Sequence, residues 1–204
     1  ASGVRQDGPG VGHLVGADSR AGESTKVSAF DDVSLVQLIV DRGAEAVDAL
    51  PIGIRKKPQA VAETIENNVR RLIVDESPIN PKYYEKMSAL LDALIEQRRT
   101  GAIAYKEFLR RIVELTRQAK SGPSAGEYPK RLDSAAKRAP YDNLGKDEAL
   151  ALRVDAAVRE SLQDGWRTSK LKTKRVRQAI ADVLRDDDAK VAATLAIITS
   201  QNDY

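Results

Sequence analysis

Asn80-Pro81-Lys82-Tyr83-Tyr84-Glu85-Lys86-Met87 is the stretch from which the rest of the chain is read. It opens a helix. The Asn80 side chain is placed to accept from a free N–H of the first turn, and Pro81 takes the first helical position, where its missing donor costs nothing. Ile79 outside the cap and Tyr84 inside it are placed for a hydrophobic staple. From there Tyr84, Met87, Leu91 and Leu94 recur at spacings of three, four and three, with Leu90 and Ile95 flanking them. One apolar stripe is therefore buried, on a core helix whose stripe carries no chemistry. The helix runs to Arg98-Arg99-Thr100-Gly101, where the arginines complement the negative end of the dipole and Gly101 takes the left-handed stop.

The same period continues on both sides. Upstream, Pro58 opens a helix that buries Val61, Ile65, Val69, Leu72 and Ile73. It ends before Ser77-Pro78, because the residue before a proline is pushed out of the helical region. Asn68 falls on its stripe, so Asn67 or Asn68 is expected to find a partner across the bundle. Earlier still, Asp31 and Asp32 are placed to cap a short helix through Val33, Leu35, Val36, Leu38, Ile39 and Val40, stopped by Gly43. Pro51-Ile52-Gly53-Ile54 reads as a break.

Downstream, Tyr105, Phe108, Leu109, Ile112 and Leu115 mark a third long helix ending near Ser121-Gly122-Pro123. Residues 121–128 read as a linker, followed by a short helix around Leu132 to Ala139 and the turn Tyr141-Asp142-Asn143-Leu144-Gly145. A longer helix carries Leu150, Val154, Ala157, Val158 and Ser161, with Leu162 close to the same stripe, and Gly165-Trp166 interrupts the pattern. The last two helices carry Val176, Ile180, Val183 and Leu184, then Val191, Leu195 and Ile198. Asp186, Asp187 and Asp188 supply cap and first-turn charge between them. No segment alternates with period two, so the expected fold is all-α, a multi-helix bundle with residues 31–122 as a core subdomain and 123–204 as a second helical subdomain.

Residues 1–30 hold glycines among small and polar residues and read as a tail or linker. Gly8-Pro9-Gly10-Val11-Gly12-His13-Leu14-Val15-Gly16 meets neither the dinucleotide fingerprint nor the P-loop spacing. The lone histidine, His13, lies there, so a histidine metal cluster or a Ser-His-Asp triad has no materials. With no cysteine, disulfides and thiolate sites are excluded. There is no long apolar run and no signal-peptide pattern, and a cytoplasmic protein is the expectation.

Paired carboxylates read as solvated faces: Glu63 with Glu66, and Asp75 with Glu76. Glu85, Glu96 and Glu107 read as surface charges paired with neighbouring cations. The Asp186–Asp188 run resembles a metal-nuclease acid cluster only superficially, since aspartates at a helix start are capping chemistry. No catalytic, cofactor-binding or metal residue is assigned.

Net charge is +3, from 33 basic and 30 acidic residues, so only clustering can suggest an anionic partner. The cluster is Trp166-Arg167-Thr168-Ser169-Lys170-Leu171-Lys172-Thr173-Lys174-Arg175-Val176-Arg177. Arg167, Lys170, Lys172, Lys174, Arg175 and Arg177 are candidates for contact with DNA phosphates or with a partner protein's acids. With no recognition helix or base-reading fork in view, the protein contact is preferred.

Three blocks of sequence then carry a family resemblance. Glu63-Thr64-Ile65-Glu66-Asn67-Asn68-Val69-Arg70-Arg71-Leu72-Ile73-Val74-Asp75-Glu76 is followed by Asn80 to Met87 and by Leu91-Asp92-Ala93-Leu94-Ile95-Glu96-Gln97-Arg98-Arg99. Together with Tyr105-Lys106-Glu107-Phe108-Leu109, Tyr141 to Gly145 and Asp164-Gly165-Trp166-Arg167, they resemble the carboxy-terminal region of the restriction (R, HsdR-type) subunit of type I restriction enzymes. The resemblance spans roughly residues 34–204.

It implies a helical part of a larger motor, whose nuclease and ATPase domains lie elsewhere and would hold the family's ATP and magnesium. The implied role is non-catalytic assembly with the modification and specificity subunits on DNA. The alternative within the same family is a module that contacts the DNA backbone through residues 167–177.

Overall fold

In a computed structural model, residues 28–49, 52–185 and 187–204 are described. The expected tail lies outside these except for residues 28–30, which are helical. Pro51 and Asp186 also lie outside. The described chain runs through α1 (Ser28–Arg42), a 3-10 turn (Gly43–Ala49), α2 (Ile52–Arg55), α3 (Pro58–Glu76), α4 (Pro81–Arg99) and α5 (Tyr105–Ser121). A second 3-10 turn (Ala125–Glu127) leads to α6 (Ala135–Asn143), α7 (Glu148–Ser161), α8 (Lys170–Leu184) and α9 (Asp188–Ser200). There is no strand among the described residues, and the fold is an all-α multi-helix bundle.

The α4 entrance is built as its sequence dictates. Asn80 accepts from the Tyr83 N–H and Pro81 stands at the first turn, while Gly101 closes the far end at φ 70°. Tyr84, Met87, Leu91, Leu94 and Ile95 are buried, and Leu90 is exposed. α3, α4 and α5 pack on one another, α1 lies against α3 and α5, and Phe108, Ile112, Ile65, Val69 and Leu91 fill the space between them. A second cluster, of Val154, Val158, Trp166, Val176, Ile180, Val191 and Ile198, holds α7, α8 and α9 together. α6 packs against α4 on one side and against α7 and α9 on the other.

Several local expectations are corrected. Asp31 and Asp32 lie inside α1, which already runs from Ser28, so they do not start it. The break at Pro51–Ile54 contains the single turn α2, with Gly53 helical. α6 begins at Ala135, not Leu132, and continues through Pro140 to Asn143, absorbing most of the expected turn. Proline removes the donor that would reach the Ala136 carbonyl. Two contacts from the end of the chain help to tolerate this: the Tyr204 hydroxyl lies 3.4 Å from that carbonyl, and the Asp203 carboxylate accepts from the Ala136 N–H at 3.2 Å.

On α7 the buried positions are Ala151, Val154, Asp155, Val158 and Ser161, while Leu150 and Ala157 are half-buried, so the stripe is rotated from the one read in sequence. Asn68 is buried, but its amide donates to the Thr64 carbonyl one turn back rather than across the bundle, and Asn67 is exposed.

Candidate interaction surfaces

Asn80 does more than cap α4. Its amide donates to Asp142 at 2.7 Å and its oxygen accepts from the Asn143 amide at 2.8 Å. Asp142 accepts in turn from the Tyr128 hydroxyl at 2.6 Å, and the Asn143 oxygen accepts from the Lys82 N–H at 3.3 Å. The Gln201 amide donates to the Ile79 carbonyl at 2.6 Å, tying the end of α9 to the same corner. Tyr83 and Tyr84 donate to the Gln118 and Ala119 carbonyls at the end of α5. These residues therefore form a polar joint between the two apolar clusters.

The joint protects its phenols from ionisation. Burial, with the nearby Glu127 and Asp142 carboxylates, pushes Tyr83 up to about 12. Burial followed by the Asp142 hydrogen bond raises Tyr128, and burial followed by Glu76 raises Tyr84. Each of these phenols donates a hydrogen bond within the joint, to the Gln118 and Ala119 carbonyls or to Asp142.

A buried ion pair was missed by sequence reasoning. Glu66, read as part of a solvated face, is 4% exposed and accepts from the Arg98 Nε at 2.6 Å. The Arg98 guanidinium also lies 5.4 Å from the Phe108 ring centre. Arg98 thus supports the α3–α4–α5 packing in addition to complementing the helix end. Asp155 is likewise buried, holding Arg159 at 3.0 Å and the Tyr204 hydroxyl at 2.8 Å. In a single sequence each acid simply follows an apolar stripe residue, Ile65 or Val154, and nothing distinguishes it from a surface acid. The surface acids Glu85 and Glu107 do pair as expected, with Lys82 and with Arg110 and Arg111. Hydrogen bonds from both arginines hold Glu107 down to about 2.

The candidate contact residues at 167–177 divide into two sets. Arg167 donates to the Thr199 and Gln201 carbonyls and stacks on buried Trp166. Lys172 donates to the Asp164 carbonyl and Arg177 pairs with Asp188 at 2.7 Å. These three hold the α7–α8 turn and the α8–α9 corner. Lys170, Lys174 and Arg175 are exposed along α8. Asp187 caps α9, accepting from the Lys190 N–H, and Lys190 and that bond hold its carboxyl below the usual range.

Concave surface occurs between helices. Between α4 and α5 lies an open groove of about 300 Å³, with Leu90, Ala93 and Leu94 on one wall and Arg110, Arg111 and Glu114 on the other. Among the described residues no group of three His, Cys, Asp or Glu side chains is placed to hold a metal ion, and no helix is long and apolar enough to cross a membrane.

No family model matches the chain, and no curated protein or solved structure matches it.

Proposed function

We propose that the chain is the helical carboxy-terminal region of the restriction subunit of a type I restriction enzyme, and that it serves assembly with the modification and specificity subunits of a cytoplasmic, DNA-translocating complex. The observation that carries this reading is the coincidence of the sequence blocks that bear the resemblance with the scaffold of an all-α bundle. Asn80 to Met87 forms the α4 entrance, Tyr141 to Gly145 supplies the joint residues Asp142 and Asn143, and Asp164 to Arg167 makes the turn that clamps α9. The groove between α4 and α5, lined by Leu90, Ala93, Leu94 and Leu115 beside Arg110 and Glu114 and crossed by the Arg111–Gln97 hydrogen bond, offers a mixed apolar and charged surface to a partner. In this reading catalysis, ATP and magnesium belong to other parts of the subunit.

Co-purification tests it. The chain, tagged and mixed with purified modification and specificity subunits at low salt, is expected to retain them through size exclusion. Retention of neither would overturn the assembly role. So would magnesium-dependent DNA cleavage or ATP turnover by the rigorously purified chain alone.

A further inference from the structure

The cations of α8 that the fold does not use share one face. At about 100° per residue, Lys170, Lys174, Gln178, Leu171, Asp182 and Arg175 fall in that order within an arc of about 140°, with Asp182 the one acid among them, accepting from the Gln178 amide. Val176 and Ile180 point to the core from the other side. Within the arc, beside Gln178, stands Leu171, 80% exposed, the most exposed of the large hydrophobic side chains among the described residues.

The cations do not serve the helix itself. No acid stands in its first turn and Ser169 makes no side-chain cap, so Lys170 and Lys172 oppose the positive end of the dipole unaided. A neutral or acidic first turn would suit α8 alone better. The basic face has limits: Glu160 and Asp182 line the groove beside Arg175, between α7 and α8.

We propose that Lys170, Leu171, Lys174 and Arg175 form a docking face for an acidic amphipathic helix of a partner protein. Cations flanking a leucine at helical spacing match a helix whose apolar stripe is edged by glutamates or aspartates, as at the seams of paired helices. A nucleic-acid backbone matches less well. It would lay phosphates across a leucine with nothing to bury it, and Trp166, the one aromatic of the stretch, is buried and offers no stacking platform. The face adds partner chemistry to the assembly reading, and it stands or falls separately from the chain's parentage.

The test uses the full chain and fluorescence anisotropy with three labelled probes. The first is a helical peptide of about 18 residues with a leucine–alanine stripe edged by glutamates. The second is its glutamine counterpart, and the third a mixed-sequence duplex of about 20 base pairs. The acidic peptide is expected to bind, and to weaken as salt rises from about 50 to about 200 mM. The glutamine peptide, and the triple variant Lys170→Ala, Lys174→Ala, Arg175→Ala, are each expected to bind about tenfold more weakly, and Leu171→Ser several-fold. These positions are exposed, and unchanged circular dichroism shows that the variants fold.

Tighter binding of the duplex than of the acidic peptide, indifferent to Leu171→Ser, overturns the proposal in favour of a phosphate-binding face. Failure of the unaltered chain to bind either probe overturns it as well. Self-association of the chain that the triple variant abolishes, without peptide binding, would make the occupant a second copy and overturn it too. Failure to retain the modification and specificity subunits would overturn the assembly role while leaving peptide binding untouched.

Discussion

The α1–α5 half and the α7–α9 half of the bundle are held by different means. The first is filled by bulky side chains, with Phe108, Ile39, Ile65, Leu91 and Ile112 under 2% exposed. The second has valines at half of its buried core positions and a single buried aromatic, Trp166. The first half adds the buried Glu66–Arg98 pair to its packing, while the second leans on more clamps: Asp155 gathers Arg159 and Tyr204, Arg167 grips two carbonyls of the α9 end, and Asp203 meets the start of α6. Close packing of large groups supplies stability without geometry-specific partners, whereas clamps supply less and depend on every member being in place. The proposed docking face of α8 lies in this second half.

The largest effect is expected where packing dominates. Phe108→Ala removes a fully buried ring and the face that Arg98 covers, and should cost about 3–5 kcal/mol. Val176→Ala, equally buried in the second cluster, should cost about 2 kcal/mol. Urea unfolding followed by circular dichroism measures both, and equal losses would break the contrast between the halves.

Next comes the joint. Asn80→Ala removes the α4 cap, worth about 1 kcal/mol, and leaves Asp142 and Asn143 each short of a partner. A loss of about 2–3 kcal/mol is expected in total. Amide exchange should show protection falling at the start of α4 and along α6 together. A loss confined to α4 would mean that the two halves are not coupled through this residue.

The first half was the more legible in sequence, for the same reason that it is the better packed. Stripes such as Val61-Ile65-Val69 and Tyr84-Met87-Leu91 announce a buried face by period alone, and Asn80-Pro81 and Gly101 punctuate the helix through backbone chemistry that needs no tertiary partner. Where tertiary contacts decide, periodicity misleads. The expected helix closed at Ala139 before the turn at Tyr141, yet α6 continues through Pro140 to Asn143 while the end of the chain approaches the freed carbonyl. α7 turns its buried face toward Asp155 because Arg159 and Tyr204 meet that carboxylate, a pairing spread over 49 residues of sequence. The basic stretch was legible as a cluster, but its division into clamps and exposed cations was not. That division depends on carbonyls of the α9 end, such as that of Thr199, 32 residues from Arg167.

The smallest expected effect at neutral pH, and the sharpest probe of the clamps, is Tyr204→Phe. It keeps the ring under Arg159, at 5.0 Å, and deletes the hydroxyl that donates to Asp155 and lies 3.4 Å from the Ala136 carbonyl. A loss of about 1 kcal/mol is expected, since Asp155 keeps its arginine. Alkaline solution enlarges the difference in a defined direction. Burial, and then the Asp155 hydrogen bond, raise the Tyr204 phenol above its ordinary value, as burial does for Tyr83, Tyr84 and Tyr128 at the joint. A phenol with a raised folded-state pKa favours the fold fully below the unfolded value of about 10, and that contribution drains away as pH climbs toward the folded value. Wild-type stability should therefore fall steadily above about pH 10, with tyrosinate absorbance lagging behind that of the unfolded chain. In Tyr204→Phe one of the five raised phenols is gone, Tyr105 being the fifth, so the alkaline decline should be shallower and the two stability curves should converge as pH rises. Parallel curves would show that the Tyr204 hydroxyl ionises in the fold as readily as in the unfolded chain, and the clamp at Asp155 would lose its place in the contrast between the two halves.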